Sequence, residues 1–186
     1  SSEHVGHPDF TFMVRSGRAV LLPVYKGTYE RRLPRGAGPN VVRDLVIQQF
    51  KDLARSLDWV ETRSDLRADR IGYYGLSMGA HLGILNGALE PRLRAIVLVS
   101  GGLATGPAPG EMDPFNFAPR ITAPVLLIAG RDDFRRPLKE SQEPLMRLLG
   151  SKEKRHYVFE GGHVPPRWQE VIKETLDWFD RYLGPV

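Results

Sequence analysis

The chain has 186 residues, of which 41% are hydrophobic and 26% charged, and its formal net charge is +4. That length suits one domain able to bury roughly two-thirds of the surface it exposes when unfolded, which excludes disorder along the whole chain. The absence of cysteine excludes disulfides, thiolate metal sites and a cysteine nucleophile, and basic residues interleaved with acids lack the stripe and stacking aromatics of a nucleic-acid binder.

Asp9 to Val14 is short and apolar, and fits the end of a helix packed on a sheet. Ala19–Tyr25 reads as a strand apolar on both faces, as in the middle of a parallel sheet, although Pro23 removes one ladder donor. A loop rich in Gly, Pro and Arg runs from Lys26 to Asn40, and its basic run at Arg31–Arg35 reads as a solvated face. Val42, Leu45, Val46, Gln49, Phe50, Leu53 and Leu57 then recur at helical spacing, predicting a helix capped by Asn40 and ending by about Thr62. Ile71–Gly75 is the next strand, and Met78 to Glu90 a helix stopped by Pro91. Ala95–Ser100 and Val125–Ala129 are buried strands separated by a long loop from Gly101 to Thr122. Leu138–Leu149 reads as a helix broken near Pro144, and His156–Phe159 as a final strand. Trp168–Leu183 is an amphipathic helix with Val171, Ile172, Leu176, Trp178, Phe179 and Leu183 as its apolar set. Strand and helix alternate and several strands are apolar on both faces, so the expected fold is α/β, a doubly wound, mostly parallel sheet with helices on both sides. No apolar run approaches the roughly 20 residues that span a bilayer. An export signal would lie upstream of Ser1, which leaves the compartment open.

The sharpest chemical signal is Gly75-Leu-Ser77-Met-Gly79, a G-x-S-x-G pattern between a predicted strand and a predicted helix. A turn that tight needs small residues on both sides, because a side chain at Gly75 or Gly79 would meet the returning backbone. It lifts the Ser77 hydroxyl out of the sheet edge to a helix N-terminus, which favours the negative charge of acyl transfer. The hydroxyl needs a base, and the histidines are His4, His7, His81, His156 and His163. His81 lies on the nucleophile's own helix, four residues on, where its ring packs or meets solvent. His156 stands in the charged run before the last strand. His163 follows that strand in Phe159-Glu-Gly-Gly-His163, at the sheet edge where the serine turn lies, and is the expected base. An orienting acid should come from another strand end, where Asp132 and Asp133 are both available. The order Ser, Asp, His is that of the α/β-hydrolase arrangement.

The chain resembles α/β hydrolases of the dienelactone hydrolase and prolyl-oligopeptidase-like group. Those families carry a G-x-x-D-x-x-x-P segment, here Gly130 to Pro137, and a G-G-H turn, here Gly161-Gly-His163. The resemblance selects Asp133 over Asp132 as the triad acid. Further segments, Ser16 to Glu30, Asn116-Phe-Ala-Pro119, Val158 to Pro166 and Leu176 to Pro185, resemble a bacterial subgroup described as hydrolase domains joined to serine/threonine kinase-like sequences. In that fold the strands corresponding to Ala19–Tyr25 and Ile71–Gly75 are separated in space by a strand that precedes both in sequence. Nothing before Ala19 fits that strand, whose loop usually gives one oxyanion-hole N–H while the residue after the nucleophile, Met78, gives the other. Residues 1–186 are therefore expected to form a single domain that is the C-terminal portion of an α/β-hydrolase fold. An upstream segment or second chain would complete the sheet as a partner.

The expected activity is hydrolysis of a small-molecule carboxylic ester through an acyl-serine, with Ser77, Asp133 and His163 as catalytic residues and no metal or organic cofactor. Tyr25 and Tyr29 are candidates for the entrance, Phe115 for the acyl side of the pocket, and Trp168 for a wall near His163 or an anchor of the last helix, the anchor being favoured. A prolyl-oligopeptidase-like peptidase is one alternative. A noncatalytic interaction domain on a hydrolase fold is another.

Overall fold

A computed structural model describes residues 10–32, 39–106, 109–110 and 112–186. Four parallel strands form one sheet in the order β1-β2-β3-β4, namely β1 (Ile71–Leu76), β2 (Leu93–Val99), β3 (Val125–Gly130) and β4 (Lys154–Phe159). The helices are α1 (Thr11–Arg15), α2 (Pro39–Glu61), α3 (Met78–Leu89), α4 (Pro114–Phe117), α5 (Glu143–Leu148) and α6 (Trp168–Leu183).

The period of two along β2 and β3 divides the core. Ile96, Leu98, Val125, Leu127 and Ala129 join α2, α3 and α5 in one apolar cluster. Ala95, Val97, Val99, Leu126 and Ile128 join α1 and α6 in a second. Both faces of the two central strands are thus dry, which explains runs with no polar alternation. Strands in consecutive spatial order, joined by right-handed crossovers, carry their connecting helices on one face. The opposite face is covered by α6, which follows the last strand, and by Met13 of α1.

The predicted strands fall where expected, within one or two residues. The segment Ala19–Tyr25 does not. It has no ladder among the described residues, and β1 pairs only with β2 there. Its side chains Val20, Leu21, Leu22 and Val24 remain 37–53% exposed. A strand needs a neighbouring strand to satisfy its backbone, and among the described residues Ala19–Tyr25 has no such neighbour. The chain that follows is tied instead to α2: the Lys26 N–H donates to Asp52 at 2.7 Å, and Arg31 grips both oxygens of the same carboxylate at 2.9 and 3.0 Å. The long helix begins at Pro39, so Asn40 lies inside its first turn and is not its cap. The basic run beyond Arg32 falls outside the described residues. The helix expected at Leu138–Leu149 is a π-helical turn at Leu138–Gln142 followed by α5, with Pro144 in the first turn of α5, where its missing N–H costs nothing.

Candidate active site

The turn between β1 and α3 is set by backbone approach. A Cβ on Gly75 would sit 2.4 Å from the carbonyl of Gly79 and 2.8 Å from the nitrogen of Ala80. Glycine is required there, whereas a Cβ on Gly79 meets nothing within 4 Å, which corrects the expectation that both positions are crowded. Ser77 takes φ 53° and ψ −103°, a left-handed conformation rare for a residue with a side chain. Its N–H is held by the Val99 carbonyl at 2.8 Å, and the Tyr73 hydroxyl donates to the Gly79 carbonyl at 2.7 Å. The sequence reading missed Tyr73, whose place in a buried strand looked purely apolar. Met78 is the first residue of α3, and its N–H has no intrahelical acceptor.

Three side chains from three loops converge. Ser77 Oγ lies 2.8 Å from His163 Nε2, and His163 Nδ1 lies 2.8 Å from Asp133 Oδ2. A carboxylate beside Nδ1 favours the tautomer with the proton on that nitrogen, leaving Nε2 free to accept from the serine hydroxyl. Asp133 is 1% exposed. Its second oxygen accepts the N–H groups of Arg135 and Arg136 at 2.8 and 3.0 Å. Asp132 is exposed, and its N–H holds the Gly161 carbonyl at 2.9 Å. The structure therefore puts Asp133, not its neighbour, against the ring.

Two further features hold the acid loop and the histidine loop together. A Cβ on Gly130 would lie 2.1 Å from the Gly162 oxygen and 2.4 Å from the Gly161 oxygen, so only glycine lets the turn bearing His163 cross the end of β3. Gln142 is fully buried and donates its amide to the carbonyls of Gly130 and Arg136, both at 2.7 Å, closing the loop around Asp133. Its oxygen lies 3.0 Å from His156 Nε2. With both amide protons already committed to carbonyls, that oxygen must accept, so His156 carries a proton on Nε2. Gln142 was also missed in the sequence, where nothing separates it from an exposed helical glutamine.

Of the other histidines, His4 and His7 lie outside the described residues, and neither the His81 ring nor the His156 ring is hydrogen-bonded to the Ser77 hydroxyl. Burial pushes His156 below the ordinary histidine value. His81 is half-buried and is likewise depressed, first by burial and then by the nearby Arg136 charge. Of the expected substrate contacts, Tyr25 packs on the cluster beneath α2 and α3, where burial and the Asp52 charge push its hydroxyl up to about 12. Tyr29 is exposed in a short 3-10 turn with φ 47°. Phe115 is 54% exposed on α4, and Trp168 is 38% exposed at the start of α6. More telling are the residues that follow each member of the trio, for Met78, Phe134 and Val164 are all exposed, at 69%, 77% and 68%. Among the described residues no group of three or more His, Asp or Glu side chains is disposed to hold a metal. No described helix is long and apolar enough to cross a membrane.

A family model for serine hydrolases (FSH1) matches residues 43–175, a span that contains Ser77, Asp133 and His163. No curated protein sequence matches the chain. Among solved structures it is similar to a cold-adapted esterase from an Arctic intertidal metagenomic library, with 29% identity and a TM-score of 0.61 over 76% of this chain and 60% of that one. A second structure of that esterase gives 26% identity and a TM-score of 0.68, covering 86% of this chain and 67% of the other. An acetyl xylan esterase from a Paenibacillus species shares the fold at 23% identity, with a TM-score of 0.63 over 75% of this chain and 54% of that one. The chain thus spans 60% of the length of the first of these esterases.

Proposed function

The chain belongs to the serine hydrolase (FSH1) family, and from that premise we propose that it cleaves carboxylic esters through an acyl-serine formed on Ser77. One observation carries the reading: an unbroken path of two 2.8 Å contacts from Ser77 Oγ through the His163 ring to a buried Asp133. His163 Nε2 takes the hydroxyl proton as Oγ bonds to the carbonyl carbon, and the carbonyl π pair moves onto its oxygen. The Met78 N–H, at the positive end of α3, meets that oxyanion. Asp133 holds the ring in its tautomer and offsets the imidazolium charge. When the intermediate collapses, the bond to the alkoxy oxygen breaks and His163 returns its proton to the leaving alcohol. Water repeats the sequence on the acyl-serine and releases the acid. No step calls on a metal or organic cofactor.

The exposed apolar residues Met78, Phe134 and Val164, each next in sequence to a member of the trio, favour a substrate with an apolar group beside the ester. A second oxyanion donor would come from a parallel strand, supplied by protein outside residues 1–186, that pairs with the open edge of β1. The test is a fluorophosphonate probe together with p-nitrophenyl acetate. Labelling should map to Ser77, and Ser77→Ala should lose both labelling and turnover while melting within a degree or two of the parent. Turnover by Ser77→Ala at the parent rate overturns the assignment. Faster cleavage of an aminoacyl amide than of the ester would replace esterase by peptidase.

A further inference from the structure

Two adjacent residues at the end of β2 hold both partners of the proposed proton transfer. The Val99 carbonyl fixes the Ser77 N–H at 2.8 Å. The next residue, Ser100, donates its hydroxyl to the carbonyl of His163 at 2.6 Å. Ser100 is fully buried, and its own N–H is pinned to the Ile128 carbonyl of β3 at 2.7 Å. It leaves the strand with φ 53°, the same left-handed region that Ser77 occupies. A residue with a side chain persists in that region only where surrounding contacts over-determine it.

We propose that Ser100 is a positioning residue for His163, setting the height of the imidazole over Ser77; this rests on the reading of Ser77 and His163 given above. The histidine turn has other tethers, but they act earlier. Arg131 N–H holds the Phe159 carbonyl and Asp132 N–H holds the Gly161 carbonyl, each at 2.9 Å. Asp133 restrains the ring at Nδ1, which fixes its direction and leaves its backbone free to rise. After His163 the chain turns outward to an exposed Val164. Ser100 anchors the peptide of the base itself, and it does so from the strand residue adjoining the anchor of the nucleophile. The Ser77 and His163 backbones are thereby referred to one rigid point. Because Ser100 is buried beneath both, it touches no substrate, and its loss should act on the chemical step and not on binding.

The experiment uses the full chain with Ser100→Gly, Ser100→Ala and Ser100→Cys. Glycine accepts φ 53° without strain and removes the hydroxyl, so it separates hydrogen bonding from backbone conformation. Alanine removes the hydroxyl and keeps the strain. Cysteine keeps the shape with a weaker donor. The expected result is a fall in kcat on p-nitrophenyl acetate of about tenfold for Gly and Ala, the size of one lost hydrogen bond. KM should stay within about twofold, since binding is untouched. The rate of fluorophosphonate labelling at Ser77 should fall in parallel, and Ser100→Cys should lie between. If Ser100→Ala does not fold, the Gly and Cys variants decide. Parent-like kcat and labelling in Ser100→Gly overturn the inference, as does a loss confined to KM. A Ser77→Ala control that retains turnover would instead sink the nucleophile assignment, so the two failures are distinguishable.

Discussion

Gly75 and Gly79 look alike in the sequence and are opposite in space. Gly75→Ala forces a Cβ to 2.4 Å from the Gly79 backbone, which cannot yield without opening the turn. We expect a loss of about 2–3 kcal/mol in stability, as for overpacking of a rigid site, together with loss of ester turnover. Gly79→Ala adds a methyl into open space on a helix, where alanine gains up to about 1 kcal/mol over glycine. Urea titrations of the two variants should move in opposite directions, and equal destabilisation by both would contradict the geometry. Asp133→Asn tests the acid. The amide can offer the ring a donor in place of an acceptor and select the wrong tautomer, so kcat should fall by on the order of 10³ to 10⁴ with the fold intact. Comparable kcat in variant and parent would remove Asp133 from the assignment.

Single elements are held by contacts of two kinds, apolar and titratable. Helix α6 owes its place to Val171, Trp178, Phe179 and Leu183, all buried on the second face of the sheet. Phe179 lies against Gly72 of β1, where a Cβ would come within 2.8 Å of its ring. Phe179→Ala should therefore leave a cavity under the sheet and cost about 3–5 kcal/mol, read as a lower urea midpoint at unchanged slope. Strand β4 and the π-helical turn meet through His156 and Gln142. Burial lowers the folded-state pKa of His156, and that of His81, below the unfolded value near 6.5. Below that value the unfolded chain binds protons that the folded chain resists. Stability is then complete above about pH 6.5 and declines as pH falls through the window beneath it. A melting series from about pH 7.5 to pH 5 should show that decline, and His156→Gln should flatten it. An unchanged slope in the variant would mean that His156 does not contribute.

At the scale of the molecule, β2 and β3 are dry on both faces, and among the described residues β1 and β4 each have a strand on one side only. Tyr25 packs on the core, whereas Val20, Leu21, Leu22 and Val24 stay partly in solvent. An unpaired strand edge such as that of β1 is a surface that another strand would cover. If the proposed strand is a distinct polypeptide, intact-mass analysis of the purified active sample should find it beside the 20.9 kDa chain, and removing it should abolish both cooperative melting and turnover. A single 20.9 kDa species that is folded and fully active would overturn the proposal. The net charge of +4 plays no part in this, because edge pairing is made by backbone groups and apolar contacts.

Local chemistry made the four strands, the terminal helix and the serine turn legible in the sequence. Dry parallel strands must be apolar on both faces, an amphipathic helix must repeat near every third or fourth residue, and a strand-to-helix turn this tight must contain Gly75. The positions of Ser77 and His163 followed, because loops after parallel strands share one edge. Spacing alone could not separate Asp132 from Asp133, whose difference is one of direction: one side chain points out, while the other is buried against the ring. Nor could it show that Ala19–Tyr25 lacks a ladder, since an apolar run states that a segment could pair and not that a partner is present. Tyr73, Ser100 and Gln142 carry no local signature at all. Each acts through one hydrogen bond or a few to a backbone carbonyl brought close only when the sheet has formed, a relation that exists in the folded chain and nowhere in the order of its residues.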